Sequence, residues 1–152
     1  MSEALACNRE IASVFIRQIL DRIGPQAGRV LLVGSDQIEL LIALASCGFA
    51  EVTCRSAQAG PGIAERSADV VLAPTLYHQH EYAASLRRIE RALRPGGMLI
   101  VGISSSPLKM RGRQIRKLLV QRGFAFVSAD LEVGGLQMLC CRKVTPAMAA
   151  AA

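Results

Sequence analysis

The segment Arg29–Leu41, RVLLVGSDQIELL, decides the fold of this 152-residue chain. Its first residues are almost all apolar and predict a strand covered on both faces. Gly34 permits a tight turn, and the apolar spacing after Asp36 predicts a helix that reaches about Ala45. A strand, a tight turn and a helix in this order hold the ligand in many nucleotide-binding proteins.

Further strands and helices alternate along the chain on both sides of this segment. Apolar periodicity predicts an N-terminal helix over residues 8–23, and the later elements are strands at 50–54, 69–73 and 98–103 and helices at 81–93 and 107–123. The stretches 124–132 and 135–144 then predict an antiparallel hairpin joined at Gly134–Gly135. This order predicts an α/β fold with a mostly parallel sheet, helices on both faces and a closing antiparallel pair.

Composition predicts one domain over residues 1–145 and a disordered tail over 146–152. No apolar run reaches the roughly 18 residues that a membrane span needs, and the N-terminus lacks a signal-peptide pattern. We therefore expect a cytoplasmic protein. The five cysteines show no metal-ligand or CxxC spacing, so we expect reduced thiols and no metal site. A net charge of +6 describes a basic protein that could bind an acidic partner.

Several stretches resemble the class I S-adenosylmethionine (SAM) dependent methyltransferases. They are GRVLLVG at residues 28–34, the strand–helix–strand stretch over 68–101 with its LRPGG turn, the helix ending in QRGF, and the final hairpin. The resemblance extends from about Arg9 to Val144. It implies a Rossmann-like fold in which SAM binds at the carboxyl ends of the strands.

The cofactor motif departs from the family pattern. The family has an acidic residue two positions before a GxGxG-like loop, and that acid falls on Leu32. The three glycine positions fall on Gly34, Asp36 and Ile38, so only the first matches. The missing glycines matter because a Cβ keeps the backbone away from a ligand.

The second strand also lacks the acid that holds the ribose in this family, since Arg55 is the charged residue there. The family places a further helix and strand before the next strand, whereas this chain has the 14 residues Arg55–Ala68. This length indicates a truncated fold. If the chain binds SAM, the cofactor-binding candidates are the residues that follow the strands: Gly34, Ser35, Asp36, Arg55 and Pro74.

Two interpretations of the turn stay open. Asp36 and Glu39 fit a capping box, and Ser35 is an alternative cap, so that the helix would use its own side chains in place of a ligand. This interpretation predicts a degenerate SAM site, no cofactor, and a non-catalytic interaction or regulatory module. The alternative is an active but divergent SAM-dependent methyltransferase.

A response-regulator receiver domain is a rival alignment. Its phospho-acceptor aspartate would fall on Pro74, and only one acid would remain of its magnesium pair. A conventional receiver is therefore excluded, while a pseudo-receiver stays open. The LRPGG turn and the terminal hairpin favour the methyltransferase-like fold.

Tyr77, His78 and His80 follow a strand end and are the catalytic candidates, because imidazoles at that position could act as general bases. The alternative is that they are solvated loop residues.

Basic residues concentrate on two predicted helices, and we expect both helices to cover the same face of the sheet. The surface could bind nucleic acid or an acidic protein. Its residues are Arg87, Arg88, Arg91 and Arg94 with Lys109, Arg113 and Arg116. The wide apolar face of the N-terminal helix is a candidate homodimer contact.

Overall fold

A computed structural model describes residues 28–34, 38–46, 51–55, 66–74, 82–104, 109–133 and 136–144, together with Arg17 and Phe49. The elements are β1 (Arg29–Val33), α1 (Ile38–Ala45), β2 (Glu51–Arg55), β3 (Ala68–Ala73), α2 (Tyr82–Ala92), β4 (Leu93–Ser104), α3 (Lys109–Gln121), β5 (Phe124–Val133) and β6 (Leu136–Lys143). Arg17 is helical, within the predicted N-terminal helix. The rest of that helix, with its proposed dimer contact, and the predicted disordered tail lie outside the described residues.

The six strands form one mixed sheet in the order β2-β1-β3-β4-β6-β5. The pairs β1–β2, β1–β3 and β3–β4 are parallel, and β6 is antiparallel to both β4 and β5. The predicted α/β fold with its closing hairpin is therefore confirmed. The last described elements form an antiparallel hairpin, whereas a receiver domain has a helix at this place, so the hairpin argues against the rival alignment. No helix in the described ranges is long and apolar enough to cross a membrane.

Alternate residues of the strands pack on opposite faces of the sheet, as the two-residue period of a strand requires. On one face, α2 and α3 contribute Leu86, Ile89, Ile115 and Leu119 to a core with Leu31, Val71, Leu99 and Leu139. On the other face, Leu44 of α1 packs with Val30, Leu32, Val70, Leu72 and Ile100. Burial on both faces explains the continuous apolar runs of β1, β3 and β4.

The predicted RPGG turn (residues 94–97) lies inside β4, which begins at Leu93. Ala68 and Val70 are two positions apart, whereas their partners Leu93 and Met98 are five positions apart. The three extra residues form a local excursion, which Gly96 permits by adopting a φ of 78°. The turn was therefore correctly predicted, but the strand starts before it.

A polar cluster joins the beginnings of β1, β3 and β4. The Asp69 carboxylate accepts a 2.9 Å hydrogen bond from the Arg29 amide and a 3.1 Å ion-paired bond from Arg94 Nη1. Arg94 Nε also donates to the carbonyl oxygen of Arg66 at 3.3 Å. Arg94 therefore belongs to this cluster, and its prediction as one of the surface cations of the two basic helices was wrong.

Candidate functional site

The carboxyl ends of the parallel strands meet at one edge of the sheet, where α/β proteins bind their ligands. Val33 pairs with Arg55 across β1 and β2, and Ala73 pairs with Val101 across β3 and β4. The residues that follow these strands, Gly34 and Pro74, are both buried. The structure thus brings three predicted cofactor-binding positions, Gly34, Arg55 and Pro74, to the same edge of the sheet.

Gly34 uses both of its backbone polar groups within the chain. Its φ of 143° lies in a region that side chains disfavour, so glycine is needed here. Its amide donates a 3.0 Å hydrogen bond to the carbonyl oxygen of Arg55. The Cys54 thiol donates a weaker hydrogen bond to the Gly34 carbonyl oxygen, with 3.9 Å between the sulfur and the oxygen. The turn after β1 is therefore tied to the end of β2 by both of the glycine's backbone groups.

Cys54 was not predicted as a site residue. Burial raises the pKa of its thiol, against the opposing effect of the neighbouring Arg55 charge. The thiol therefore stays protonated at neutral pH and keeps the hydrogen that it donates to Gly34. The sequence carried no motif for this role, because it depends on the pairing of β2 with β1.

Arg55 is the last residue of β2, and it is exposed. It lies at the strand end where the family has its ribose-binding acid. A guanidinium group only donates hydrogen bonds, whereas a carboxylate accepts them from sugar hydroxyls. Arg55 therefore cannot replace the acid in that role.

Pro74 lies directly against Gly102 on β4. A Cβ added to Gly102 would come within 2.0 Å of the Pro74 carbonyl oxygen and 2.8 Å of its carbonyl carbon. The absence of a side chain at residue 102 therefore allows the chain leaving β3 to cross β4 closely. This requirement could not be predicted from the sequence, because Gly102 occurs in an ordinary apolar strand.

The remaining site predictions fall outside the described residues. They are Ser35, Asp36, Tyr77, His78 and His80. The backbone of Ile38 begins α1, but its side chain is not described. Among the described residues, no group of three or more histidine, cysteine or acidic side chains could hold a metal ion.

The two basic helices lie side by side on one face of the sheet, as predicted. The Tyr82 hydroxyl donates a 2.8 Å hydrogen bond to Gln114 Oε1, and Arg122 forms a 2.7 Å ion pair with Glu90. Both links join residues 32 positions apart. The helices α2 and α3 therefore run parallel and in matched register, which brings their outer faces into one surface.

The predicted cations of this surface separate into three groups. Arg87, Arg91 and Arg113 are exposed, as is Lys117, which was not predicted. Arg88 and Arg116 take part in other interactions, and the side chain of Lys109 is not described. We call the four exposed cations Arg87, Arg91, Arg113 and Lys117 the basic surface. Arg88 is exposed as well, but it takes part in another interaction.

Comparison with known proteins agrees with this architecture. A family model described as a methyltransferase domain matches residues 18–101, which is more than half of the chain. No curated protein sequence matches the chain.

Solved structures share the fold at low sequence identity. A SAM-dependent methyltransferase from Aquifex aeolicus superposes with a TM-score of 0.66 at 16% identity, over 84% of this chain and 89% of that one. The Burkholderia thailandensis 1,6-didemethyltoxoflavin-N1-methyltransferase, solved with S-adenosylhomocysteine, gives 0.66 at 17% identity, over 92% and 79%. The structure of a complex with the Haloferax volcanii Trm112 methyltransferase activator gives 0.64 at 13% identity, over 86% and 88%.

These structures and the described sheet share the same α/β architecture. In the described part of the chain, β2 is the edge strand next to β1, and no further strand pairs with it. The family match and the fold lead to one conclusion: the chain belongs to the methyltransferase domain family, with a class I SAM methyltransferase-like fold in truncated form.

Proposed function

We propose that this methyltransferase domain has a degenerate SAM site and acts as a non-catalytic interaction or regulatory module. The observation that carries the proposal is the bonding of Gly34. Its amide donates to the Arg55 carbonyl oxygen, and its carbonyl oxygen accepts from the Cys54 thiol. Both backbone groups of the motif's first glycine therefore bond to the chain's own β2.

The charges at the same edge support the proposal. Arg55 replaces an acid that would accept hydrogen bonds from a ribose. Asp36 and Ile38 occupy the two other glycine positions of the family motif in this sequence. A carboxylate at residue 36 would repel the methionine carboxylate of SAM, and a branched side chain at residue 38 would take up space near the cofactor. The residue types at positions 36, 38 and 55 therefore favour a degenerate SAM site.

Calorimetric titration with SAM and with S-adenosylhomocysteine tests the proposal directly. We expect no saturable heat with the wild-type chain. Saturable binding in the micromolar range would show that the site is functional and would overturn the proposal.

A restoration variant tests the assigned cause. Asp36→Gly, Ile38→Gly and Arg55→Glu together return the family's residue types to three positions. We expect this variant to bind S-adenosylhomocysteine measurably more tightly than wild type. Arg142→Gln is the matched control, because it lowers the net charge by one, as the restoration variant does, at an exposed arginine away from the carboxyl ends of the parallel strands. Equal gains in both proteins would indicate a general charge effect.

The family match itself favours a second candidate, an active but divergent SAM-dependent methyltransferase. Its methyl acceptor would have to enter at the same edge, where Tyr77, His78 and His80 are the catalytic candidates. Transfer of a labelled methyl group from SAM to any acceptor, lost in a Tyr77→Phe/His78→Gln/His80→Gln variant, would support this candidate over the first.

Protein partners are a further part of the proposal. One structural relative was solved as a complex with a methyltransferase activator. A non-catalytic domain of this fold could regulate another protein by such docking. Co-purification followed by mass determination of the complex tests this role, and a chain that stays monomeric with every candidate methyltransferase partner would argue against it.

A further inference from the structure

We propose that the basic surface of α2 and α3 binds the phosphate backbone of double-stranded nucleic acid without reading its sequence. This inference is independent of whether the chain binds SAM. It rests on the placement of charge, on the matched register of the two helices, and on the chemistry of the residues around the four cations.

The positive charge of the chain is concentrated on these helices. The α2 sequence contains three arginines and one glutamate, and the α3 sequence contains five basic residues and no acid. Their combined formal charge is +7, whereas the whole chain carries +6. The remainder of the chain is therefore close to neutral, and α2 and α3 together account for the net charge.

The acid that the structure describes on these helices does not neutralise the basic surface. Glu90 is the single acid of the two helices, and its carboxylate pairs with Arg122 while its carbonyl accepts a 3.0 Å bond from Lys143. Within the described ranges, no carboxylate pairs with Arg87, Arg91, Arg113 or Lys117. In the part of the chain that the structure describes, these four cations therefore have no acidic partner, which favours an external anion.

The register of the helices sets the spacing of the four cations. Arg87 and Arg91 are separated by one helical turn, as are Arg113 and Lys117, so each pair is about 6 Å apart along its helix. The 32-residue offset places Arg113 and Arg91 at the two ends of a span of about 15 Å. A duplex presents roughly nine phosphates over this length. Counted over both strands, this number exceeds the four cations, so the length of the span is compatible with one phosphate for each cation.

The surrounding side chains favour phosphates over a protein partner. A stable protein interface has an apolar centre inside a polar rim. Val120 is the one exposed large hydrophobic residue on α2 and α3 among the described side chains. On the two helices themselves, an acidic protein would find charge but little apolar surface to bury.

The scarcity of aromatic rings favours a duplex over a single strand. Proteins that bind single strands stack bases on exposed aromatic side chains. Tyr82 is the one aromatic residue of the two helices, and its hydroxyl is bonded to Gln114 while its ring packs against the core. Contacts to a duplex backbone need no stacking platform.

Fluorescence anisotropy with a labelled 20-base-pair DNA duplex, titrated at several salt concentrations, tests this proposal. Four phosphate contacts predict that the logarithm of the binding constant falls with the logarithm of salt concentration with a slope of about −3.6. An RNA duplex should also bind, and an unrelated DNA sequence should bind equally well. No binding at 50 mM salt, or a preference of more than tenfold for one DNA sequence, would overturn the proposal.

Substitutions locate the contact. The variant Arg87→Gln/Arg91→Gln/Arg113→Gln/Lys117→Gln should lose binding, while its melting temperature should not fall, because it relieves two like-charge pairs on the helices. Arg91→Gln and Arg142→Gln remove one exposed charge each and form a matched pair. Arg142 pairs with Met98, whose side chain packs on the α1 face, so it lies away from the basic surface.

Arg91→Gln should weaken binding and reduce the salt slope by about 0.9, whereas Arg142→Gln should change neither. Equal effects of the two substitutions would show that net charge alone is responsible and would overturn the assigned surface. Competition by polyglutamate at the same charge concentration as the duplex would favour an acidic protein as the partner and would also contradict the proposal.

Discussion

Asp69 and Arg94 join the first residues of β3 to the turn within β4 through an ion pair of 3.1 Å. Asp69 also accepts the Arg29 amide at the start of β1, so one carboxylate connects three parallel strands at the edge opposite the candidate site. The two side chains are 30% and 45% exposed, which limits the strength of the ion pair.

A double-mutant cycle on this pair should separate the ion pair from the backbone contact. We expect Arg94→Ala to lower the free energy of unfolding by up to about 1 kcal/mol, as for other exposed pairs. Asp69→Ala should cost about 1–2 kcal/mol, because it also leaves the Arg29 amide without its acceptor. Urea denaturation measures both values and their coupling. A larger effect for Arg94→Ala than for Asp69→Ala would contradict this division.

The contacts between α2 and α3 predict a second, smaller effect. Tyr82→Phe removes the hydroxyl that donates to Gln114 and keeps the ring that packs on the core. We expect the free energy of unfolding to fall by about 0.5–1.5 kcal/mol. Gln114→Ala should have a similar effect, and the double variant should cost no more than either one. Full additivity would show that the two residues act independently.

The fold could be predicted because its main determinants are local. The apolar runs of β1 and β3 and the apolar stripe of α2 are determined by neighbouring residues, and the structure places them within two residues of their predicted ends. The hairpin was equally visible, since Gly134–Gly135 separates two strand-like stretches. Boundaries shifted where tertiary pairing extends a strand, as at Leu93, which pairs with Ala68 ahead of the turn.

The chemistry of the site was less predictable because it depends on contacts between distant residues. The position of Gly34 at a strand end follows from the sequence, but its bonds to Arg55 and Cys54 depend on the register of two strands. The pairing of Arg94 with Asp69 could not be predicted, because the two residues are 25 positions apart in the sequence. Arg94 was therefore predicted as a surface cation. The capping role of Asp36 stays a prediction, since that residue lies outside the described ranges.

Cys141 predicts a pH dependence of stability. Burial raises the pKa of this thiol from 9.0 to about 12, with Cys140 adding to the rise and Arg116 opposing it. The folded chain therefore holds the proton more tightly than the unfolded chain. Its contribution to stability is complete below pH 9 and decreases as the pH rises toward 12.

The difference in unfolding free energy between wild type and Cys141→Ala isolates this contribution from other groups that titrate in the same range. We expect that difference to shrink by about 1 kcal/mol between pH 8 and pH 10. Urea denaturation at the two pH values measures it. A constant difference would show that the folded and unfolded chains hold this proton equally.

The contact between Gly102 and Pro74 makes the candidate site sensitive to one methyl group. The Cβ of Gly102→Ala would lie 2.0 Å from the Pro74 carbonyl oxygen, so one of the two backbone segments must move. We expect a loss of about 3 kcal/mol in the free energy of unfolding, the upper range for overpacking. Gly123→Ala is the comparison, because its φ is 84° but the added Cβ has nothing within 4 Å. Strain alone should cost it about 1–2 kcal/mol.

Urea denaturation ranks the two variants, and amide hydrogen exchange locates the change. In Gly102→Ala, we expect faster exchange for the amides of β3 near Ala73, because the displaced chain leaves that end of the strand. Gly123→Ala should leave the exchange of β3 unchanged, since Gly123 joins α3 to β5. A cost for Gly102→Ala no larger than for Gly123→Ala would show that β3 and β4 do not hold Pro74 in a fixed position at the edge of the site.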